Sequence, residues 1–148
     1  MVVHRESRSL LRSGFTLIEL MVAIAILALL AGGAVPMFLG YLERAKVSAA
    51  KTDIQTFKAA ILNYQMGMNK YPQTLKDLIK APREEQDKKR WTQSGGPFLE
   101  GDEIKVDSWD NPYKYKLTPG TPHPYELFSY GKNGPGAPKE EQISVWDK

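Results

Sequence analysis

The sequence lacks cysteine altogether, in a chain of 148 residues. Without cysteine the chain forms no disulfide, binds no metal through thiolates and has no cysteine nucleophile. Histidine is scarce as well, since only His4 and His123 occur. The chain also has no phosphate-cradling glycine motif, no histidine-rich metal motif and no nucleophile elbow. The sequence therefore predicts that the protein is not an enzyme.

The excess of basic over acidic side chains is also small. The formal net charge is +3 at pH 7, and much of it lies before Gly14, in a leader that contains Arg5, Arg8 and Arg12. Proteins that bind nucleic acid concentrate basic side chains on one face, because phosphate contacts dominate their affinity. This chain shows no such concentration, and we expect no nucleic-acid partner.

A long uncharged run is the most prominent feature that is present. No charged residue occurs from Leu20 to Leu42. As a helix this run would extend for roughly 35 Å, which is enough to cross the hydrocarbon core of a bilayer. Because the basic leader precedes the run, the positive-inside rule places that leader in the cytoplasm. The run therefore predicts a single-pass membrane segment followed by an exported polar domain.

Glu19 lies directly before this uncharged run, within the apolar stretch that begins after Gly14, and its charge there requires an explanation. A carboxylate in hydrocarbon costs about 2.5–3.5 kcal/mol on insertion scales, and such residues usually mark function. An ordinary secretory signal has only roughly 7–15 apolar residues before a small-residue cleavage site. Such a site can be read at residues 32–34, so a soluble periplasmic binding domain that begins near Val35 remains an alternative.

The stretch GFTLIELMVAIAILALLA, which begins at Gly14, resembles the N-terminus of type IV pilins and of the pseudopilins of type II secretion. In that family a prepilin peptidase cuts after the glycine and methylates the new amine. The resemblance implies cleavage between Gly14 and Phe15, and N-methylation of Phe15. It also implies that the helix following the cut is kept in the mature protein.

The resemblance also implies a role for Glu19. In the family this glutamate meets the N-terminal amine of a neighbouring subunit as the helices pack into a filament. An α-amine has an ordinary pKa of about 7.7–8.0 and is largely protonated at neutral pH. Two unit charges about 4 Å apart attract by about 4 kcal/mol at an effective dielectric of 20, which offsets the desolvation cost. Glu19 and Phe15 are therefore expected to set the axial register of a homo-oligomeric helical filament.

A second helical pattern follows Pro36, which is expected to kink the helix because proline removes a backbone hydrogen bond. Apolar residues then recur at spacings of three and four, which is typical of one face of a helix. The pattern predicts one helix from Phe15 to about Met68, roughly 80 Å long. We expect the stripe to pack on a globular part, and a coiled-coil seam is the alternative. The stripe is Val47, Ala50, Ile54, Phe57, Ile61, Tyr64 and Met68.

The remaining sequence predicts a small mixed domain. Tyr71-Pro72 should end the long helix, and a short helix is expected over 75–80. The mixed-charge run REEQDKKR, residues 83–90, is interpreted as a solvated loop. Alternating patterns over 113–117 and 125–130, separated by a proline-rich turn, predict two paired strands.

Three motifs narrow the family resemblance. They are D-x-W-x-x-P-Y-x-Y from Asp107, Y-x-L-x-S-Y-G from Tyr125 and a closing I-x-x-W that ends at Trp146. Together they resemble the major pseudopilins of type II secretion more than adhesive pilins, which commonly close this region with a disulfide. The resemblance implies an α+β, pilin-like fold with a long kinked N-terminal α-helix and a small C-terminal antiparallel β-sheet domain.

In that family the loop after the last main strand binds calcium. Calcium takes six to eight oxygen ligands, commonly including carboxylates. The matching positions here carry two amides in place of carboxylates, while Lys132 and Lys139 add positive charge. A calcium site and a loop closed by its own hydrogen bonds therefore both remain open. The resemblance implies as calcium ligands the carbonyl of Leu127 and the side chains of Ser129, Asn133, Glu140 and Gln142.

These observations divide the chain into a prepilin leader (1–14), a transmembrane and filament-core half-helix (15–42) and a periplasmic globular domain (43–148). The resemblance implies a structural subunit of the periplasmic pseudopilus, which helps to drive folded proteins across the outer membrane. Its expected partners are the prepilin peptidase, minor pseudopilins and an assembly platform in the inner membrane. A type IV pilin or a minor pilin-like subunit is the nearest alternative.

Overall fold

The computed structural model describes residues 14–147, and one long helix begins this part of the chain. Helix α1 spans Leu17–Met68, close to the predicted bounds. It ends where Asn69 takes a positive φ of 56°, a conformation that terminates helices and that asparagine tolerates. The helix assignment continues through Pro36, whose side chain lies outside the described part, so the kink stays a prediction. The predicted leader, apart from Gly14, also lies outside the described residues.

Several short elements follow α1. A 3₁₀ helix spans Leu75–Leu78, helix α2 spans Glu85–Gln93, and strands β1, β2 and β3 span Lys114–Leu117, Tyr125–Ser129 and Ile143–Ser144. Two further 3₁₀ helices, Gly131–Asn133 and Lys139–Glu141, lie between β2 and β3. The chain divides into two units after Tyr41.

The apolar stripe of α1 lies in the core of the second unit. Six of its seven residues are buried and Val47 is partly buried, packed against side chains of the sheet such as Leu127 and Ile143. Phe57 meets the Tyr113 ring edge-on at 5.0 Å. The prediction that the stripe packs on the globular part is therefore confirmed, and the stripe is not a free coiled-coil seam.

The sheet is antiparallel, with the strand order β1-β2-β3. Tyr115 pairs with Leu127, and Ser129 pairs with Ile143. The two predicted strands are confirmed as β1 and β2. The third strand, β3, is a pair of residues inside the I-x-x-W motif, too short to give an alternating pattern.

The interpretation of residues 83–90 as a loop is wrong, because most of them belong to α2. The sequence Glu85 to Arg90 is polar, but Trp91 follows directly and is only 8% exposed. Its ring packs so closely on Gly96 that a Cβ there would lie 2.4 Å from the ring. Asp87, in the first turn, pairs with Lys70 and suits the helix dipole. One buried tryptophan therefore anchors an otherwise solvated helix.

A hydrogen-bonded carboxylate joins the C-terminal half of α1 to the segment that leads into β1. Asp53 accepts a hydrogen bond of 2.7 Å from the Tyr113 hydroxyl and forms an ion pair with Lys105. Burial, together with the bond to Asp53, raises the pKa of Tyr113 well above its ordinary value of 10.0. The tyrosine therefore stays protonated in the folded protein at pH values that ionise it in the unfolded chain.

Tyr113→Phe is expected to lower the free energy of unfolding by about 1–3 kcal/mol at neutral pH, because a hydrogen bond to a charged group is lost. A raised folded pKa contributes stability that is complete below about pH 10 and declines above it. The variant should therefore also weaken the alkaline loss of stability. Urea unfolding at pH 8 and above pH 10, followed by tryptophan fluorescence, measures both effects. The control is Tyr130→Phe, since the Tyr130 hydroxyl makes no hydrogen bond within residues 14–147; equal effects of the two substitutions would contradict this role.

Candidate assembly and processing site

The N-terminal part of α1 presents a wholly exposed apolar surface. Every described side chain over 17–32 and 37–42 is exposed, and the segment is long and apolar enough to cross a membrane. Soluble monomers rarely expose continuous apolar surfaces of this size, which mark contacts with membranes or other proteins. This surface therefore requires lipid or other protein subunits around it.

The expected cleavage bond lies just before this helix. Gly14 and Phe15 precede the first residue of α1 and are both exposed, Phe15 by 92% of its surface. Among the described residues, apart from its neighbour in the chain, none has an atom within 4 Å of the position that a Cβ on Gly14 would take. The bond between the two residues is therefore accessible and outside regular secondary structure, as a proteolytic site requires.

Glu19 caps the N-terminus of its own helix. Its Oε2 accepts hydrogen bonds from the Thr16 backbone N–H at 3.0 Å and from the Thr16 hydroxyl at 3.1 Å, while the Thr16 hydroxyl accepts from the Glu19 N–H at 3.2 Å. This reciprocal arrangement is a capping box, which satisfies backbone donors that the first turn leaves free. The T-x-x-E spacing of the sequence would have revealed it, but the sequence analysis missed it.

Two of the expected calcium ligands lie on β2, and both are already engaged. The Leu127 carbonyl accepts the Val145 N–H at 2.9 Å. The Ser129 hydroxyl donates to Asp107 Oδ2 and accepts the Gly131 N–H at 2.9 Å. Asp107, which the sequence analysis did not identify as a site residue, therefore determines where the Ser129 hydroxyl points.

The other expected ligands lie in the loop 131–142, hereafter the C-terminal loop. Asn133 donates its amide N–H to Glu141 Oε2, and Gln142 donates its amide N–H to the Ala137 carbonyl at 2.9 Å. Glu140 is exposed. Asn133 and Gln142, two of the five expected ligands, therefore direct amide N–H groups toward their neighbours, whereas a calcium ion would need their oxygens.

Calcium would require several of these oxygens to meet around one point. Within the described part of the chain, no group of three or more acidic or histidine side chains could hold a metal ion. The hydroxyl and amide groups form hydrogen bonds with protein partners, and the side-chain hydrogen bond between Asn133 and Glu141 joins an amide to a carboxylate. The donor set of this chain therefore does not fit a calcium site, and the geometry favours the alternative of a loop closed by its own hydrogen bonds.

Sequence comparison decides the family. Residues 37–146 match the family model "Type II secretion system (T2SS), protein G", and residues 11–35 match the "Prokaryotic N-terminal methylation motif". The chain belongs to the type II secretion protein G family. It is therefore a pseudopilin, a structural subunit of the pseudopilus, and the pilin and binding-domain alternatives are set aside.

Relatives of this pseudopilin match over almost its whole length. The type II secretion system core protein G of Pseudomonas aeruginosa is 40% identical over 141 residues, which cover 92% of this chain and 96% of that protein. The core protein G of Aeromonas hydrophila is 33% identical over 139 residues, covering 92% and 93% respectively.

A solved structure supports the fold. The crystal structure of the major pseudopilin from the type 2 secretion system of enterohaemorrhagic Escherichia coli is similar, with a TM-score of 0.56 at 22% identity. The match covers 73% of this chain and 92% of that one. The expected pilin-like α+β fold is confirmed.

Proposed function

We propose that the prepilin peptidase removes residues 1–14 and methylates Phe15, and that the mature chain assembles through α1 into a helical periplasmic filament of identical subunits. Before assembly the chain is held in the inner membrane by the segment 15–42, with its leader in the cytoplasm. Minor pseudopilins and an inner-membrane assembly platform are its further partners. The filament helps to drive folded proteins across the outer membrane.

This proposal rests on one observation, which is that the Glu19 carboxylate lies at the start of an exposed apolar helix. The apolar surface needs lipid in the monomer, and in a filament the same surface can contact the helices of other subunits. Helix contacts made only of apolar side chains fix the axial register poorly, because they are non-directional. A charge at one end of each helix can fix this register, because it pairs with an opposite charge at one position on a neighbouring helix.

The geometry of Glu19 leaves it able to take a second partner. Both hydrogen bonds from Thr16 reach Oε2, and within the part of the chain that the structure describes no hydrogen bond reaches Oε1. A carboxylate accepts about four hydrogen bonds. Glu19 can therefore cap its own helix and, in a filament, accept the Phe15 amine of a neighbouring subunit.

The mature N-terminus is the first measurement. We expect the protein purified from its host to begin at Phe15 and to carry one added methyl group, as seen by intact mass and by sequencing the N-terminal peptide. Gly14→Val should leave the chain uncleaved, because the peptidase must accommodate a larger side chain at the cut. Since no described residue beyond its neighbour in the chain comes close to Gly14, the substitution should disturb no contact within residues 14–147.

The control for this experiment is Gly14→Ala, which adds only one carbon and should still be processed, more slowly. A mature chain that begins near Val35 would instead show an ordinary signal peptide and would contradict the proposal. Processing of Gly14→Val at the rate of the unchanged protein would contradict the placement of the cut.

A further inference from the structure

We propose that the C-terminal loop of this pseudopilin is closed without a metal ion, and that the Asn133–Glu141 hydrogen bond takes the place of a bridging cation. The inference concerns the stability of the globular part and does not depend on how the N-terminus is processed.

Charge is the first argument. Within the C-terminal loop, Lys132 and Lys139 balance Glu140 and Glu141, so the loop carries no net formal charge. A calcium loop ordinarily gathers carboxylates, whose mutual repulsion the cation relieves. This loop contains no excess negative charge to attract a divalent cation.

The Asn133–Glu141 contact is the second argument. The Asn133 amide nitrogen lies within hydrogen-bonding distance of Glu141 Oε2. Two carboxylates at such a distance would repel each other and would need a cation or a shared proton between them. An amide supplies its own N–H donor, so this pair holds together without either.

The backbone of the loop is the third argument, because it closes through its own hydrogen bonds. The Ala137 N–H donates to the Gly134 carbonyl at 3.0 Å, and the Glu141 N–H donates to the Pro138 carbonyl at 3.0 Å. Gly134 has a positive φ of 67°, which glycine adopts at little cost. These turns shape the loop without help from a central ion.

The polar groups at the base of the loop also have hydrogen-bond partners. Asp107 is only 4% exposed and accepts hydrogen bonds from the N–H groups of Trp109 at 3.0 Å and Asn111 at 2.8 Å, as well as from the Ser129 hydroxyl. The Asn111 amide in turn donates to the Gly131 carbonyl at 3.2 Å. The buried carboxylate nearest to the loop is therefore satisfied by protein donors, and no cation is needed to neutralise it.

Thermal unfolding of the full chain in mild detergent, followed by tryptophan fluorescence, tests the proposal. We expect the same Tm for the unchanged protein in EDTA and in millimolar calcium. Asn133→Asp should lower the Tm by several degrees in EDTA, because it sets a second carboxylate against Glu141. Calcium should raise the Tm of this variant alone, since a cation can then lie between the two carboxylates.

The matched control is Asn133→Ala, which loses the hydrogen bond but adds no charge. It should unfold at a slightly lower temperature than the unchanged protein and should not respond to calcium. A Tm of the unchanged protein that falls in EDTA and recovers with calcium would overturn the proposal. So would an Asn133→Asp variant that is as stable in EDTA as Asn133→Ala.

Discussion

Glu19→Ala should abolish assembly of the pseudopilus while cleavage between Gly14 and Phe15 continues. In the proposed filament the Glu19 carboxylate meets the amine of a neighbouring subunit, and two unit charges about 4 Å apart attract by about 4 kcal/mol at an effective dielectric of 20. Because about 1.4 kcal/mol corresponds to a factor of ten, the association constant at each contact should fall roughly a thousandfold. A filament built from many such contacts cannot tolerate that loss.

Failure to enter the membrane would not explain this result. Removing a carboxylate from the apolar run makes membrane insertion more favourable, by about 2.5–3.5 kcal/mol on insertion scales. The variant should therefore accumulate in the membrane as a cleaved, methylated chain. Loss of assembly together with normal processing separates the role of Glu19 in the filament from any role in export.

The capping box requires two further variants, because Glu19 also stabilises its own helix. Glu19→Gln keeps a side-chain oxygen for the Thr16 donors but removes the charge, and we expect it to fail in assembly as Glu19→Ala does. Thr16→Val removes the capping hydroxyl and leaves the carboxylate, at a cost of about 1 kcal/mol to the helix end. This variant should still assemble.

The measurement is the amount of sheared filament, together with the amount of secreted protein, in a host that lacks its own copy of the gene. Filaments of Glu19→Gln in normal amounts would show that the cap, and not the charge, is what assembly needs. Loss of filaments in Thr16→Val with normal filaments in Glu19→Gln would lead to the same conclusion.

Repeated patterns in the sequence predicted much of the fold. The α1 stripe and the strands β1 and β2 were found because several residues recur at a fixed spacing and each adds to the signal. Helix α2 was missed because its anchor is a single residue, Trp91, which lies outside the charged run that was interpreted as a loop. Strand β3 was missed for a similar reason, since two residues carry no period.

For the candidate site, the sequence identified residue types but not the contacts that they make. Gly14, Phe15 and Glu19 are exposed, and their roles in processing and assembly stay predictions, while the Thr16–Glu19 cap was overlooked. In the C-terminal loop the sequence identified the changed residue types, and only the structure shows that Asn133 directs a donor toward Glu141. Which atom of an amide faces a neighbour depends on packing, and residue spacing does not reveal it.

Asp107→Ala should be among the most damaging substitutions in the globular part, with a loss of about 3–5 kcal/mol in the free energy of unfolding. The carboxylate is buried and accepts three hydrogen bonds, so its removal leaves the N–H groups of Trp109 and Asn111 and the Ser129 hydroxyl without their acceptor. Hydrogen bonds to a charged group contribute about 1.5–3 kcal/mol each, but these three share one carboxylate and two of the donors are only partly buried, so their losses are not additive and the total lies below their sum.

Two milder variants distinguish the carboxylate from its partners. Asp107→Asn keeps Oδ1 for the two backbone donors and loses only the acceptor for Ser129, and Ser129→Ala removes the same bond from the other side. Both should lower the free energy of unfolding by less than half as much as Asp107→Ala does. Urea unfolding measures these losses, and the m-value should stay unchanged. If Asp107→Asn is as damaging as Asp107→Ala, the negative charge itself stabilises this turn, and the backbone hydrogen bonds matter less than the structure implies. If all three variants are mild, water replaces the lost acceptor and the turn is not part of the stable core.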